Sequence, residues 1–331
     1  MSSEASLIER IRTRIASPPG LARAVGLRIG IGDDAAVLRP PHGTEWVLTC
    51  DAFLENVHFL MQAHSPEVVG YKALARATSD LAAMGASPRL FLLSLALPSD
   101  RTGRWLEGFL KGMARAARKF GLVLAGGDTS RHPTVAISIT VLGQVAPRHA
   151  VTRSGARPGD LLYVTGRLGA AQLGLELVLR GMYHERRWQA LLRPHLYPEL
   201  RLEFGRWLAS RRLASAMIDT SDGLSTDIVH LCSASRVGAR LWADHIPKVQ
   251  IPPALRQHGF DPLELALHGG EDYELLFAVP RRFETRIPRS YRGGAVTAIG
   301  EVTRGKSLLL VGGDGRATPL VPGGWDHFRS K

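Results

Sequence analysis

Six short segments of the chain set a carboxylate beside glycine or a small hydroxyl residue: Gly32-Asp33-Asp34, Thr49-Cys50-Asp51, Ser79-Asp80, Gly126-Gly127-Asp128, Asp219-Thr220-Ser221-Asp222 and Gly269-Gly270-Glu271-Asp272. Carboxylates gathered without counter-charge repel by about 4 kcal/mol per close pair at an effective dielectric near 20, so a site built from them calls for hard cations. Such oxygen donors suit Mg²⁺, which keeps several waters and binds carboxylates together with substrate phosphates. The chemistry these residues predict is that of an enzyme acting on a Mg²⁺-nucleotide.

Each segment also has a plainer use. Asp33 and Asp34 follow glycines that permit a tight turn, so they project from one loop or simply cap it. Asp51 ends an apolar strand, where ligand sites of α/β proteins lie. Asp80 falls among Tyr71, Leu74, Ala75, Leu81 and Met84 in a helical stretch, where Asp is a poor helix former. Pairing it with Arg76 sets the cation on the weaker, N-terminal side. Gly126-Gly127-Asp128-Thr129-Ser130-Arg131 follows the strand-like 122–125 and offers N–H groups, hydroxyls and a guanidinium to phosphate oxygens. In Asp219-Thr220-Ser221-Asp222-Gly223-Leu224, Ser221 or Asp222 is either a helix N-cap or part of a compact oxygen donor set. The Glu271-Asp272 turn enters a strand at Leu275. His58 alone reads as an ordinary histidine, and the other histidines lack metal-ligand spacing such as HExxH.

Two familiar patterns are set aside. Gly300 to Ser307 spells GxxxxGK[ST], but Leu308-Leu309-Leu310-Val311 continues as a strand where a phosphate loop needs a helix, so a β-hairpin turn is predicted. Gly30 to Ala35 spells GxGxx[GA], yet it carries two aspartates that would face a pyrophosphate, and Pro40 forbids a long helix after it.

The elements that must carry these residues alternate. A helix is expected to open the chain, capped by Ser3, with Leu7, Ile8, Ile11 and Ile15 at helical spacing. Strands are predicted at 46–50, 90–97, 122–125 and 135–145, with helices from Ser65-Pro66-Glu67 to Gly85 and from about Thr102 to Phe120. After the polar turn-rich stretch 152–160 come strands at 161–165, 239–242, 274–279, 295–302 and 307–311, and helices around 168–181, 198–211 and 222–235. The fold class is α/β (α+β) in two domains, 1–150 and 151–331. At 331 residues, 45% hydrophobic and 22% charged, the composition is that of a globular protein with a sizeable core. The longest apolar runs fall short of a bilayer span and the N-terminus lacks the core of a signal peptide, so a cytoplasmic protein without a membrane partner is expected. Cys50 and Cys232 are the only cysteines, far apart, which argues against a disulfide framework. The net charge of +12 raises a nucleic-acid partner, but the arginines are scattered without aromatic interleaving, and a solvated basic surface that attracts anionic nucleotides is the preferred reading.

Taken in order, GIGDD, TCDAFLENVHF, GYKALARATSDLAAMGASP, GGDTSR, VTRSGARPGD, IDTSDGL and GGEDYEL resemble the thiamine-monophosphate kinases, within the superfamily of aminoimidazole ribonucleotide synthetase-like (PurM-like) ATP-binding proteins. The similarity is collinear over roughly residues 7 to 328. It implies transfer of the ATP γ-phosphate to thiamine monophosphate, several Mg²⁺ ions, a homodimer formed through the N-terminal sheet, and a C-terminal α/β domain that completes the active cleft. Carried over by motif, the metal ligands would be Asp34, Thr49, Asp51, Asp80, Asp128, Asp219 and Asp222, with residue 50 also in the set through its backbone oxygen. Cys50 stands where the family usually has Thr, and a soft thiol suits Mg²⁺ poorly. ATP would meet Lys119, Arg153 and Ser221; the substrate would meet His58, Glu271 and Trp325. No general base is implied, because the acceptor is already an anion. The alternatives are a sister ATP-dependent enzyme of the same fold, or a basic nucleic-acid-binding protein whose acid loops are turns.

Overall fold

The computed structural model describes residues 10–15, 20–29, 37–38 and 42–326. Asp33, Asp34 and the predicted cap Ser3 lie outside them. The chain divides into two compact units, one of residues 1–81 and 86–148, the other of 82–85 and 149–331.

In the first unit, strands β1 (Glu45–Leu54), β2 (Ser87–Leu97), β3 (Val123–Arg131) and β4 (Ala136–Val145) form one sheet in the order β1-β4-β2-β3. All pairs are antiparallel except β2 with β3. Helices α1 (Pro66–Ala83) and α2 (Arg104–Phe120) are its long helices, and Leu27–Ile29 pairs with Val37–Leu38 in a separate two-stranded sheet. Ser65 begins α1 by accepting the Val68 N–H at 3.3 Å, with Pro66 in the first turn as its fixed φ favours. Gly85, at φ +68°, ends it, and the Ala86 N–H returns to the Leu81 carbonyl at 2.8 Å. The two helices meet backbone to backbone: a Cβ on Gly70 would lie 2.0 Å from the Phe109 oxygen, and one on Gly112 would lie 1.9 Å from the Glu67 oxygen. The sheet shows the two-residue period of a half-covered layer, with Phe91, Leu93, Leu95, Ile137, Ile139 and Val141 buried and Leu92 and Ser94 exposed.

The strand predicted at 122–125 is longer than expected: β3 runs on through Gly126-Gly127-Asp128 to Arg131, because the missing Cβ of Gly127, which would stand 1.9 Å from the Leu93 oxygen, lets the strand press against β2.

The second unit holds strands β5 (Leu161–Thr165), β6 (Ala216–Asp219), β7 (Gly238–Trp242), β8 (Leu275–Val279), β9 (Gly294–Thr303), β10 (Leu308–Val311) and β11 (Ala317–Pro319) in the order β11-β10-β7-β9-β5-β8-β6. Its helices are α3 (Ala170–Leu179), α4 (Gln189–Leu196), α5 (Leu202–Ser210), α6 (Leu224–Ser235) and α7 (Pro262–His268). Both faces of the central strands are covered: Leu162, Val164 and Leu276 join a core with α6, while Leu161, Tyr163 and Phe277 join one with α5. This double burial is why LLYVT and LLFAV are continuous apolar runs. The turn 304–307 is not a hairpin, since β7 lies between β9 and β10 and β10 runs parallel to it; no helix follows, so the phosphate-loop spelling has no phosphate-loop structure.

Two acids of the GGEDYEL segment hold this unit together. Glu274, 8% exposed, takes two bonds from Arg201 at 2.6 and 2.5 Å and one from the Thr165 hydroxyl at 2.5 Å. Asp272 accepts the Gly169 and Ala171 N–H groups at 2.6 and 2.9 Å and thereby caps α3. Burial, reinforced by the neighbouring Glu274 charge, pushes the Asp272 carboxyl from 3.8 up to about 7, against the pull of those N–H groups. The folded state therefore keeps a proton that the unfolded chain gives up, and stability is lost as pH rises from 3.8 through about 7. Melting curves across that interval are expected to fall less steeply for Asp272→Asn than for the parent protein; equal slopes would refute the assignment.

Candidate functional site

Within the first unit the acids are sorted by the pleat. Thr49, Asp51 and Phe53 of β1 stand opposite Val141, Ile139 and Ile137, the buried row, whereas Leu48, Cys50 and Ala52 stand opposite Leu142, Thr140 and Ser138. Successive strand residues face opposite ways, so Thr49 and Asp51 share the side that carries the core, and Cys50 does not. Helix α1 meets them there. The Thr49 hydroxyl donates to the Asp80 carboxylate, and the Arg76 guanidinium lies 3.6 Å from Asp51. Arg76 thus has a partner on β1 besides the helical neighbour suggested by its spacing.

The Cys50 sulfur lies 3.4 Å from the Ser138 hydroxyl on the open side, so its side chain is removed from the group formed by Thr49, Asp51 and Asp80. The Cys50 thiol thus faces away from these oxygens, which leaves the backbone oxygen as the donor that residue 50 can offer. Asp128 is exposed, and its register opposite Ser94, itself opposite Ser138, sets it in that same open row. Among the described residues no three His, Cys, Asp or Glu side chains stand close enough to share a metal ion. What β1 and α1 bring together is a smaller set of hard oxygen donors, the type that magnesium takes.

In the second unit three segments far apart in sequence converge. The Glu271 N–H donates to the Ser221 carbonyl at 2.8 Å, Tyr273 to Thr220 at 2.9 Å, and Thr220 to Glu274 at 2.8 Å. Gly270 allows the close approach, since a Cβ there would lie 2.6 Å from the Ser221 oxygen. The C-terminal segment arrives on the other side: the Trp325 N–H donates to the Asp222 carbonyl at 2.9 Å, and a Cβ on Gly324 would meet that carbonyl at 2.1 Å. Asp219, Ser221, Asp222, Glu271 and Trp325 are therefore assembled by main-chain bonds. Glu271 and Tyr273 hold φ of +66° and +50°, a left-handed conformation that costs about 1–3 kcal/mol for a side-chain-bearing residue and clusters at functional sites.

Neither Ser221 nor Asp222 caps α6, whose N-cap is Gly223. That duty belongs to Asp227, which accepts the Gly223 N–H at 3.0 Å and which the sequence reading passed over. Burial first, then the charges of Asp219 and Asp222, push the Asp227 carboxyl well above its ordinary range, and its buried Oδ1 has no hydrogen-bond partner. The unpartnered oxygen of Asp227, with the charges of Asp219 and Asp222 acting on it, makes this end of the group electronegative. The legible signal was an acid five residues after Asp222, in the first helical turn.

The remaining residues are separately held. Nδ1 of His58 accepts the Leu54 N–H at 3.0 Å, and its ring stacks 5.7 Å from Phe53. Lys119, exposed near the end of α2, donates to the Tyr71 hydroxyl at 3.1 Å. Arg153 is exposed, its carbonyl accepting the Ser235 hydroxyl at 2.9 Å. Trp325 is 38% exposed.

Comparison with known proteins accords with this geometry. Residues 32–145 match the family described as AIR synthase related protein, N-terminal domain, and 157–312 match its C-terminal domain. The thiamine-monophosphate kinase of Escherichia coli (strain K12) is 37% identical over 98% of each chain, and that of Bacillus subtilis (strain 168) is 34% identical over 91% of this chain and 94% of its own. The thiamine-monophosphate kinase structure from Stenotrophomonas maltophilia K279a superposes with a TM-score of 0.80 at 34% identity, covering 96% of this chain and 98% of that one. A structure of AaThiL complexed with AMPPCP and TMP gives 0.77 at 33% identity, covering 98% and 97%. The hydrogenase maturation protein HypE in complex with ATP shares the fold at a TM-score of 0.76 with only 19% identity. Identity of this extent over nearly the whole of each chain shows that the chain belongs to the thiamine-monophosphate kinase family.

Proposed function

We propose that this protein transfers the γ-phosphate of ATP to thiamine monophosphate, giving thiamine diphosphate and ADP. The observation that carries the reading is the main-chain lacing of Asp219 to Asp222, Glu271 and Trp325 into one group, in a chain one-third identical to a relative solved with AMPPCP and TMP. A bond forms between an oxygen of the acceptor phosphate and the γ-phosphorus while the bond to the ADP oxygen breaks. The attacking oxygen is already anionic, so no general base is needed, and catalysis rests on holding two anions in line and screening them.

Magnesium is the cofactor that this chemistry and the family imply, and when bound it would supply that screening. Thr49, Asp51 and Asp80 in the first unit and Asp219 and Asp222 in the second are the residues we assign to it; Asp34 and Asp128 are assigned by resemblance. Arg153, Ser221 and Lys119 are the ATP contacts of this reading, and His58, Glu271 and Trp325 the substrate contacts. Trp325 presents an aromatic face suited to the cationic thiazolium ring. The open side of the N-terminal sheet, where Leu48 and Leu92 are 62% and 37% exposed, supports a homodimer formed through that face. Among the described residues no helix is long and apolar enough to cross a membrane. An ATP-consuming step fits a cytoplasmic location.

Asp80→Asn and Asp222→Asn should each lower kcat by about two orders of magnitude or more without changing the circular dichroism spectrum. Near-normal turnover at saturating Mg²⁺ would remove that residue from the metal set. Trp325→Ala is expected to raise KM for thiamine monophosphate by about 2- to 30-fold, the range of a cation–π contact, and to leave KM for ATP little changed; an effect on ATP alone contradicts the placement. Leu48→Asp should convert a dimer to a monomer in light scattering, and a persistent dimer would place the interface elsewhere.

A further inference from the structure

Glu271 differs from the two other acids of its segment. Asp272 is engaged with the start of α3, and Glu274 with Arg201 and Thr165, so both serve the fold. Glu271 keeps 20% of its side chain exposed, and one of its oxygens lies 3.1 Å from Nδ1 of His195, a side chain only 1% exposed. His195 sits near the end of α4, where that helix presses on α3: a Cβ on Gly174 would stand 2.7 Å from the His195 Cβ and 3.1 Å from the Leu191 oxygen. The imidazole is thereby fixed on one side, while the left-handed Glu271 backbone and its N–H bond to Ser221 fix the carboxylate stem on the other.

We propose that His195 is a positioning residue for substrate binding, holding the Glu271 carboxylate in the one orientation that meets the cationic heterocycle. The inference rests on the reading of Glu271 as a substrate contact. A glutamate side chain has several rotamers to lose on binding, and a buried donor that restrains it beforehand lowers that cost. The choice of imidazole matters. A guanidinium, as at Glu274, would bring a fixed positive charge against the carboxylate, whereas an imidazole can donate as a neutral N–H, a form that orients the carboxylate and leaves its negative charge for a cation.

Steady-state kinetics with each substrate varied in turn separate the possibilities. Glu271→Gln should raise KM for thiamine monophosphate and spare KM for ATP. His195→Phe, which retains bulk and loses the donor, should raise KM for thiamine monophosphate by about two- to tenfold, the net worth of a typical hydrogen bond, with kcat and KM for ATP within about twofold of the parent. His195→Asn, whose amide nitrogen falls near the place of Nδ1, should restore the parent value; His195→Gln, whose amide reaches the place of Nε2, should not. That pair decides the matter even where the phenylalanine variant misfolds. In the double variant His195→Phe/Glu271→Gln, no rise beyond Glu271→Gln is expected. A normal KM for thiamine monophosphate in His195→Gln, an equal rise in both KM values, or independent effects in the double variant would overturn the role of His195 while leaving Glu271 as a contact. An unchanged KM in Glu271→Gln would overturn the reading of Glu271, and this inference with it.

Discussion

The short main-chain ladder between residues 220–222 and 271–274 is what permits acids to be gathered in the second unit. Burial first, and then the charges of Asp219 and Asp222, oppose ionisation of the Asp227 carboxyl. Nothing in their own charges would keep them together. The opposing force comes from groups without net charge: N–H to carbonyl bonds from Glu271 to Ser221, Tyr273 to Thr220 and Trp325 to Asp222. Two glycines make those bonds possible, because a methyl group on Gly270 or Gly324 would occupy the space of the accepting carbonyl. The backbone is thus fixed independently of the side chains, which suits a site whose charges must be neutralised by ligands rather than by protein.

A related economy runs through the GGEDYEL segment. Its acids are successive or nearly so, yet each has a different environment: an orienting histidine for Glu271, helix N–H groups for Asp272, and a guanidinium with a hydroxyl for Glu274. The two positive-φ residues, Glu271 and Tyr273, turn neighbouring side chains in unlike directions. Buried pairs like Arg201 and Glu274 add little net stability but cost about 3–5 kcal/mol to break. Their value here is that they pin the turn on which Glu271 is mounted.

Much of this was legible before any coordinates. Strict alternation over 135–145 marked β4, Ser65-Pro66-Glu67 marked the start of α1, and the acid segments with their collinear neighbours pointed to an ATP-dependent kinase. Other features were hidden for physical reasons. Helix α4 carries an internal Pro194, which reads as a breaker, and α7 spans only Pro262–His268 although Asp261 caps it through the Leu263 N–H at 2.7 Å. Strand β6, Ala216–Asp219, is too short to show a period. Paired glycines ended the predicted strand at 125, but Gly126 and Gly127 lie within it, and at Gly127 the neighbouring strand comes too close for a side chain. The separation of Cys50 from Thr49 and Asp51 follows from the pleat alone, and the missing piece of knowledge was which face carries the core. Asp227 looked like one more polar residue on a helix, since the sequence does not reveal that its environment is dry.

The meeting of α1 and α2 at Gly70 and Gly112 reaches further than packing. Asp80 stands ten residues along α1 from Gly70, about 15 Å at the helical rise, so a small wedge at the crossing would swing the far end of the helix as a lever. The aim of that carboxylate toward Thr49 is governed by a place with no side chain at all. A substitution at either glycine would therefore draw Asp80 away from Thr49 while every acid remained present, which a catalogue of side chains alone would not foresee.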